Sequence, residues 1–232
     1  MTEAEVRQAE IDAEADAKRL GLMLVLALRD LGVYTSVKSI TFDIKTGAFY
    51  VNGVPVARET IRLYLDRLER FEAARFEALI NDLEKRQIEI DEWKRQHDRR
   101  IRSMHVLAAS LALGGIAQAI RSSRVHGLIN EQIQYADKFE KAVRAGKAGT
   151  FQRMKWRARS YANSARITHS IIEQTARERF GSQTECRRFR RASESCEGCI
   201  KWARKGWIPI NLMPPLGTQP CRNNCKCFLI YR

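Results

Sequence analysis

Apolar side chains recur with a helical period over most of the chain, which predicts a mainly helical fold. Residues 2–31 are rich in alanine and carry acidic side chains in the first turns, a pattern that favours a helix ending at Gly32. An apolar stripe predicts a long helix from Arg58. A further helix is predicted to start at the N-cap Asp91 and to run to about Ala119.

The period changes to two in a short region near the N terminus. Ile40, Phe42 and Ile44 alternate with polar residues, as the side chains of a strand do. The Asn-Gly pair at 52–53 supplies the turn residues typical of a hairpin. The region 36–57 is therefore predicted to form a small β-hairpin or a three-stranded meander.

Two more helices are predicted before the tail, one over residues 127–145 and one from the N-cap Thr150 through Phe180. The side chains of the last helix expected in the core are Trp156, Tyr161, Ala165, Ile171, Ile172 and Phe180. The chain then divides into an N-terminal helix at 1–35, the hairpin at 36–57, a helical domain at 58–182 and a C-terminal cysteine-rich α+β module at 183–232. The predicted fold class is mainly α, with a minor β element at each end.

Charge is distributed unevenly along the chain, whose formal net charge is +14. Residues 1–93 carry 13 Lys and Arg against 18 Asp and Glu, a net of −5, whereas residues 94–232 carry 28 against 9, a net of +19. Such a basic half predicts contact with a polyanion or an acidic protein surface, although a solvated basic face gives the same count. The candidates for contact with nucleic acid are Arg153, Lys155, Arg157, Arg159 and Arg166.

The sequence carries no sign of secretion or of a membrane span. The first residues are acidic where a secretory signal needs positive charge. The apolar run at 20–28 is too short to cross a bilayer, and the run at 104–120 contains polar residues and glycines. We therefore expect a chain of cytoplasmic origin with no membrane role.

Enzyme motifs are missing from the sequence, which has no P-loop and neither a GxGxxG nor a GxSxG pattern. The four histidines, His97, His105, His126 and His169, do not have the spacing of a catalytic metal site. We expect His105, which lies in an apolar helix, to be a core residue. No enzymatic activity is predicted.

The cysteines form a local cluster, since none of the six occurs before residue 186. Cys196 and Cys199 form a CxxC pair, and a second thiol group follows at 221–227. Two such groups are typical of a zinc ribbon or knuckle. The predicted ligands of one Zn²⁺ ion are Cys196, Cys199, Cys225 and Cys227, with Cys221 a rival for the fourth place and Cys186 outside the site.

A site built from thiolates alone predicts a structural role. Four thiolates on Zn²⁺ leave a formal charge of −2, which Lys201, Arg222 and Lys226 are expected to offset. The four thiolates also fill the coordination sphere of the ion, so no position is left for a catalytic water. Disulfides and free thiols are the alternatives, and the cytoplasmic origin argues against disulfides.

Several motifs of the tail match a known pattern. These are the CxxC at 196–199, the segment Trp202–Pro209, the prolines 214–215, the CxC at 225–227 and the apolar segment 228–231. Together they resemble the C-terminal module of the Mu F-like minor head, or head morphogenesis, proteins of tailed phages. The resemblance is good over about residues 150–232 and looser over 40–150, and residues 1–35 take no part in it. The family often has His-Pro ahead of the final CxC; this chain has Cys221 and Asn223-Asn224 there, which leaves the fourth ligand open.

The resemblance implies a virion protein, assembled in the host cytoplasm, that acts with the portal at the DNA-entry vertex in head assembly or genome delivery. It also implies a homo-oligomer on the portal ring, with sequence-independent contact to packaged DNA. Two alternatives stay open: a neck connector between portal and tail, and a DNA-binding zinc-knuckle protein.

Overall fold

A computed structural model of the chain describes residues 1–29, 40–43, 48–191 and 194–232. The described chain is mainly helical, with a small sheet near each end, as the sequence predicted. The helices are α1 (Glu3–Arg29), α2 (Arg58–Glu84), α3 (Ile90–Leu113), α4 (Ile116–Arg121), α5 (Ser123–Arg144), α6 (Phe151–Ala162), α7 (Ser164–Phe180) and α8 (Glu197–Arg204). The strands are β1 (Ile40–Asp43), β2 (Ala48–Val51), β3 (Val54–Val56), β4 (Glu185–Phe189), β5 (Ile208–Pro209) and β6 (Phe228–Tyr231).

The N-terminal sheet is a three-stranded antiparallel meander in the order β1-β2-β3. Asn52 and Gly53 join β2 to β3 with φ values of 52° and 79°, the left-handed conformation that a tight hairpin turn requires. Phe49 on β2 is buried and its ring lies 6.3 Å from that of His169 on α7. The predicted end of α1 at Gly32 and the predicted strand residue Ile44 lie outside the described residues.

Two of the predicted helices are interrupted in the structure. Helix α3 ends at Leu113 because Gly114 adopts φ 83° and its N–H closes the last turn on Ser110, so the segment expected to reach Ala119 becomes the separate helix α4. The run from Thr150 to Phe180 is divided at Asn163 into α6 and α7. Neither glycine nor proline marks this second break.

The starts of the helices also differ in detail from the sequence prediction. Thr150 caps α6 as predicted, since its hydroxyl accepts a hydrogen bond from the backbone N–H of Arg153 at 3.3 Å. The N-cap of α3 is Glu89, not Asp91. The fifth helix begins earlier than predicted, at Ser123, where the Ser122 hydroxyl accepts from the N–H of Val125.

Helix α3 runs through the centre of the helical body. Every residue from Ser103 to Ala112 is buried, because α1, α5 and α7 pack around this helix. The apolar run at 104–120 is thus explained by burial within protein. Among the described residues, no helix combines the length and apolar character that a membrane crossing requires.

A second hydrophobic cluster holds the C-terminal module against the body. Ile167 and Ile171 on α7 pack with apolar residues of the tail, among them Ile210, Met213 and Leu229. The tail strands form an antiparallel sheet in the order β5-β4-β6. This sheet brings the end of the chain back beside the segment that enters α8, and so brings the two groups of cysteines together.

Candidate metal centre

The cysteines of the tail are placed by two short structural elements. Cys196 is the N-cap of α8 and Cys199 lies in its first turn. The other group surrounds a 3-10 turn at Arg222–Asn224 and continues directly into β6. Because β6 pairs with β4 in the register Phe189↔Phe228, the returning chain delivers its thiols to the start of α8.

Five sulfurs form two triads that share one member. The first triad is Cys196, Cys199 and Cys221, and the second is Cys199, Cys225 and Cys227; within each, the sulfurs lie within 4.8 Å of one another. The sulfur of Cys199 is 3.6 Å from that of Cys221 and 3.9 Å from that of Cys225. With zinc–sulfur bonds of about 2.3 Å, a tetrahedral site places its sulfurs about 3.8 Å apart. The spacing around Cys199 therefore suits one such ion.

Burial separates the five thiols into two kinds. Cys199, Cys225 and Cys227 are at most 4% exposed. Cys196 and Cys221 are partly exposed. All six cysteines of the chain are present as thiols, and Cys186, on β4, is buried but belongs to neither triad.

The thiol cluster is unevenly ionised. Hydrogen bonds from the Cys227 thiol and from the backbone of Cys227 and Gly217 lower the pKa of Cys225 to about 5, although burial opposes its ionisation. Donating to Cys225, together with burial, raises the pKa of Cys227 above its usual range. Burial raises the pKa of Cys199 as well. A metal ion that binds here must displace the remaining thiol protons, which makes binding pH-dependent.

A buried arginine supplies positive charge to the cluster. Arg188 on β4 is 1% exposed, and its Nη1 donates a hydrogen bond to the sulfur of Cys199 at 3.5 Å. Its Nη2 donates to the carbonyl of Pro214. Arg188 was not among the predicted site residues; it is one of four arginines that surround Phe189 at 187–191. The two-residue period of β4 could have indicated that Arg188 is buried, because residues 186 and 188 share the inward face of the strand.

Of the three basic residues expected to offset the thiolates, one is paired with another group. The Lys226 ammonium pairs with Glu69 on α2 at 2.7 Å. Lys201 and Arg222 are exposed. The arginine hydrogen-bonded to a sulfur is therefore the buried Arg188, which was not among the three.

Ion pairs attach the module to α2, whose carboxylates also pair with Arg166 on α7. Asp66 pairs with Arg166 and with Arg191, at 2.5 and 3.1 Å. Glu69, next to it on α2, pairs with Arg166 at 2.6 Å in addition to Lys226. The module is therefore joined to the helical body through charged as well as apolar contacts.

A buried carboxylate lies at the same junction. Glu173 on α7 accepts from Arg58 at 2.6 Å and from Arg177 at 2.8 Å, and the Arg177 guanidinium lies 4.4 Å from the ring centre of Tyr231 on β6. Burial opposes the ionisation of Glu173, but the charges of Arg58, His169 and Arg177 outweigh it and hold its pKa below the usual value. The last strand of the tail thus packs on an arginine that is paired with this carboxylate.

The five candidate residues for nucleic-acid contact do not form one surface. Arg153, Arg157 and Arg159 are exposed on α6, where Arg159 also pairs with Glu77 at 3.5 Å, and the less exposed Lys155 pairs with Glu84 at 2.7 Å. Arg166 has a side chain only 13% exposed that pairs with Asp66 and Glu69. Arg166 therefore belongs to the junction with the tail, where its guanidinium binds carboxylates of α2 and does not face solvent as a phosphate-binding group.

Two aromatic side chains expected in the core lie in solvent. Trp156 is 72% exposed and Phe180 is 65% exposed, whereas Tyr161, Ala165, Ile171 and Ile172 are buried as predicted. Trp156 lies three residues after Arg153 and three before Arg159, so the three share one face of α6.

Three of the four histidines, His97, His105 and His169, have the environment of core residues. The ring of His105 is buried, with Nδ1 2.6 Å from the Thr168 hydroxyl and Nε2 3.1 Å from the Ser164 hydroxyl. Burial lowers the pKa of His97 and of His105 to about 3 in each case. Neither belongs to a cluster of metal-ligating groups in the described part of the chain.

Comparisons of the chain with models of protein families, with curated proteins and with solved structures found no match.

Proposed function

We propose that this chain is a structural virion protein of a tailed phage: a minor head or neck protein that docks at the portal vertex and assists head assembly or DNA passage. In this proposal the tail is shaped by one Zn²⁺ ion. The observation that carries it is the convergence of five sulfurs where the C-terminal tail folds back on the helical body. The motif resemblance of residues 150–232 supports the assignment to the virion.

The donor set supports a structural ion. The two triads contain only cysteine sulfur, and thiolates favour soft or borderline ions such as zinc. When bound, the ion supplies a cross-link between α8 and the segment before β6. Four sulfur ligands would leave no open position, so the proposal assigns no catalytic activity to the chain.

The chain's own residues determine how well an ion would be held. Cys199 is central because it belongs to both triads, and Arg188 is directed at its sulfur. Such a hydrogen bond orients a ligand and offsets its negative charge. The ion pairs of Asp66 and Glu69 would then position the cross-linked tail on α2.

The proposed partners follow from the resemblance: the portal ring, and further copies of this chain arranged on it. The experiment that tests this part is localisation in particles of the phage that encodes the chain. We expect the protein in purified procapsids or mature heads, concentrated at the portal vertex in an averaged map. Its absence from both kinds of particle would rule out a structural role.

The metal is tested on the isolated protein by elemental analysis. We expect one zinc per chain, lost in the Cys199→Ser variant and retained in Cys186→Ala, which removes a thiol outside the triads. A protein purified without any bound metal would contradict the site.

A second candidate function is sequence-independent binding of DNA, favoured by the arrangement on α6. Arg153, Trp156 and Arg159 follow one another at three-residue spacing along the exposed face, about 4.5 Å apart along the helix axis. Guanidinium groups bind phosphate, and an exposed indole can stack on an unpaired base. This face would contact packaged or passing DNA without reading its sequence.

DNA binding is tested with single- and double-stranded oligonucleotides. We expect affinity that falls steeply between about 50 and about 200 mM salt, and a preference for single strands that the Trp156→Ala variant abolishes. The Arg153→Gln/Arg159→Gln variant should bind more weakly, while Arg121→Gln/Arg124→Gln, which removes the same charge from exposed positions elsewhere, should bind as the wild type does. No binding at about 50 mM salt would exclude this function.

A further inference from the structure

The sulfur cluster holds one thiol more than a tetrahedral ion can bind. Five sulfurs are shared between two triads, and zinc takes four. Cys199 is common to both triads, and the sulfurs of Cys221 and Cys225 lie 3.6 and 3.9 Å from its sulfur. The surplus thiol is therefore one of the four that belong to a single triad.

Burial indicates which thiols compete. Cys225 and Cys227 are 2% and 4% exposed and complete the buried triad with Cys199. Cys196 and Cys221 are partly exposed, and both lie in the other triad, on the outer side of Cys199. The sulfur of each lies within 4.8 Å of the Cys199 sulfur, which also belongs to the buried triad, and a tetrahedral ion held by that triad takes only one further ligand.

The packing of the two outer loops keeps both thiols close to the site. Gly198 lies between the cysteines of the CxxC pair, and a Cβ there would meet the Gln219 side-chain oxygen at 2.1 Å. The loop that carries Cys221 is therefore packed directly against the loop that carries Cys196. Neither thiol can move far from the ion when the other one binds.

We propose that Cys199, Cys225 and Cys227 are the fixed ligands, that Cys196 and Cys221 are interchangeable as the fourth, and that the one left over is a modification site for soft electrophiles. This inference rests on the proposed metal site. The unbound thiol adds across an activated double bond: its sulfur forms a bond to one carbon and its proton ends on the other, while the four metal–sulfur bonds remain.

Single and double substitutions test the exchange of ligands, with bound zinc measured per chain. We expect Cys196→Ser and Cys221→Ser each to retain one zinc, with the affinity lowered less than tenfold. The Cys196→Ser/Cys221→Ser variant, and each of Cys199→Ser, Cys225→Ser and Cys227→Ser, should lose at least a hundredfold in affinity. Helical content measured by circular dichroism separates loss of the ion from failure of the body to fold.

The unbound thiol is tested with N-ethylmaleimide on the zinc-loaded wild-type chain, followed by peptide mass mapping. We expect one equivalent to react without release of zinc, divided between Cys196 and Cys221. The buried Cys186 should react only after denaturation, and the remaining thiol should react in each single variant only to the extent that zinc is released.

Three results would overturn the inference. These are zinc lost from either outer variant as fully as from Cys199→Ser, two ions bound per chain, or no alkylation of the loaded protein. The first and third leave the proposed one-zinc site intact, the second replaces it by a two-ion site, and a wild-type chain that never binds zinc defeats the proposed function as well.

Discussion

The guanidinium of Arg188 donates a hydrogen bond to the sulfur of Cys199 across 3.5 Å, from the interior of the tail sheet. Arg188 also donates to the carbonyls of Pro214 and Pro215. One buried cation therefore joins a strand, a proline turn and the central sulfur of both triads. Its charge compensates thiolate, which is the form that binds metal.

Replacement of this arginine is expected to weaken metal binding. Arg188→Met keeps much of the side-chain volume but removes the charge and the hydrogen bond to Cys199. Loss of such a supporting partner lowers metal affinity by about 10–100-fold. Competition with a chromophoric chelator measures the change. Arg187→Met, on the other face of β4, is the matched control and should retain wild-type affinity.

Removal of the metal is expected to unfold the tail while the helical body persists. The two hydrophobic clusters are separate; the smaller one contains three of the triad cysteines, and the other two triad cysteines pack against it. A small cluster of this kind depends on the energy of metal binding. Limited proteolysis with a chelator should cut between residues 183 and 232, and circular dichroism should show most of the helix retained. Equal protection of the tail with and without chelator would contradict this.

The Glu173→Gln substitution is expected to destabilise the junction between body and tail. It removes the negative charge that Arg58 and Arg177 share, and breaking a buried ion pair in this way costs about 3 kcal/mol or more. Denaturant unfolding measures the loss. Glu178→Gln, at an exposed position on the same helix, should be neutral.

The lowered pKa of Glu173 predicts that the free energy of unfolding falls in acid. Its pKa in the folded protein is below the usual value, so its contribution is present above the pKa of the unfolded chain. That contribution is lost as the pH falls through the folded pKa. The acid limb of the stability curve should therefore be shallower in Glu173→Gln than in the wild type.

The raised pKa of Glu72 predicts that the free energy of unfolding falls as the pH rises. Burial on α2 raises its pKa to about 7, even though Arg75 donates to it at 3.1 Å, and Asp16 on α1 adds to the rise. The folded protein thus keeps a proton that the unfolded chain releases, and stability declines as the pH rises from about 4.5 to about 7. Glu72→Gln removes this decline.

Stability measured at two pH values checks the effect of Glu72. At pH about 8, Glu72→Gln should be more stable than the wild type by on the order of 1–3 kcal/mol, and near pH 5 the two should be close. The exposed Glu89 provides the control, since Glu89→Gln should change stability little at either pH. A variant less stable than the wild type at pH 8 would show that Glu72 is needed in its ionised form.

The sequence by itself determined the local features of this protein. Helical period, the hairpin residues at 52–53 and the capping hydroxyl of Thr150 all act within a few residues, so their outcome follows from neighbours along the chain. The same holds for the grouping of the cysteines, because short loops keep a CxxC pair together in any fold.

Only the tertiary structure decided which residues meet across long distances in the chain. The face of α6 that packs on α2 left Trp156 in solvent, and the junction with the tail took Arg166 away from the basic surface. The return of β6 onto β4 placed Arg188 beside Cys199 and arranged five sulfurs as two triads. The helical period gives the direction in which each side chain leaves the helix axis. Burial and charge pairing depend instead on which other elements pack against that face of the helix.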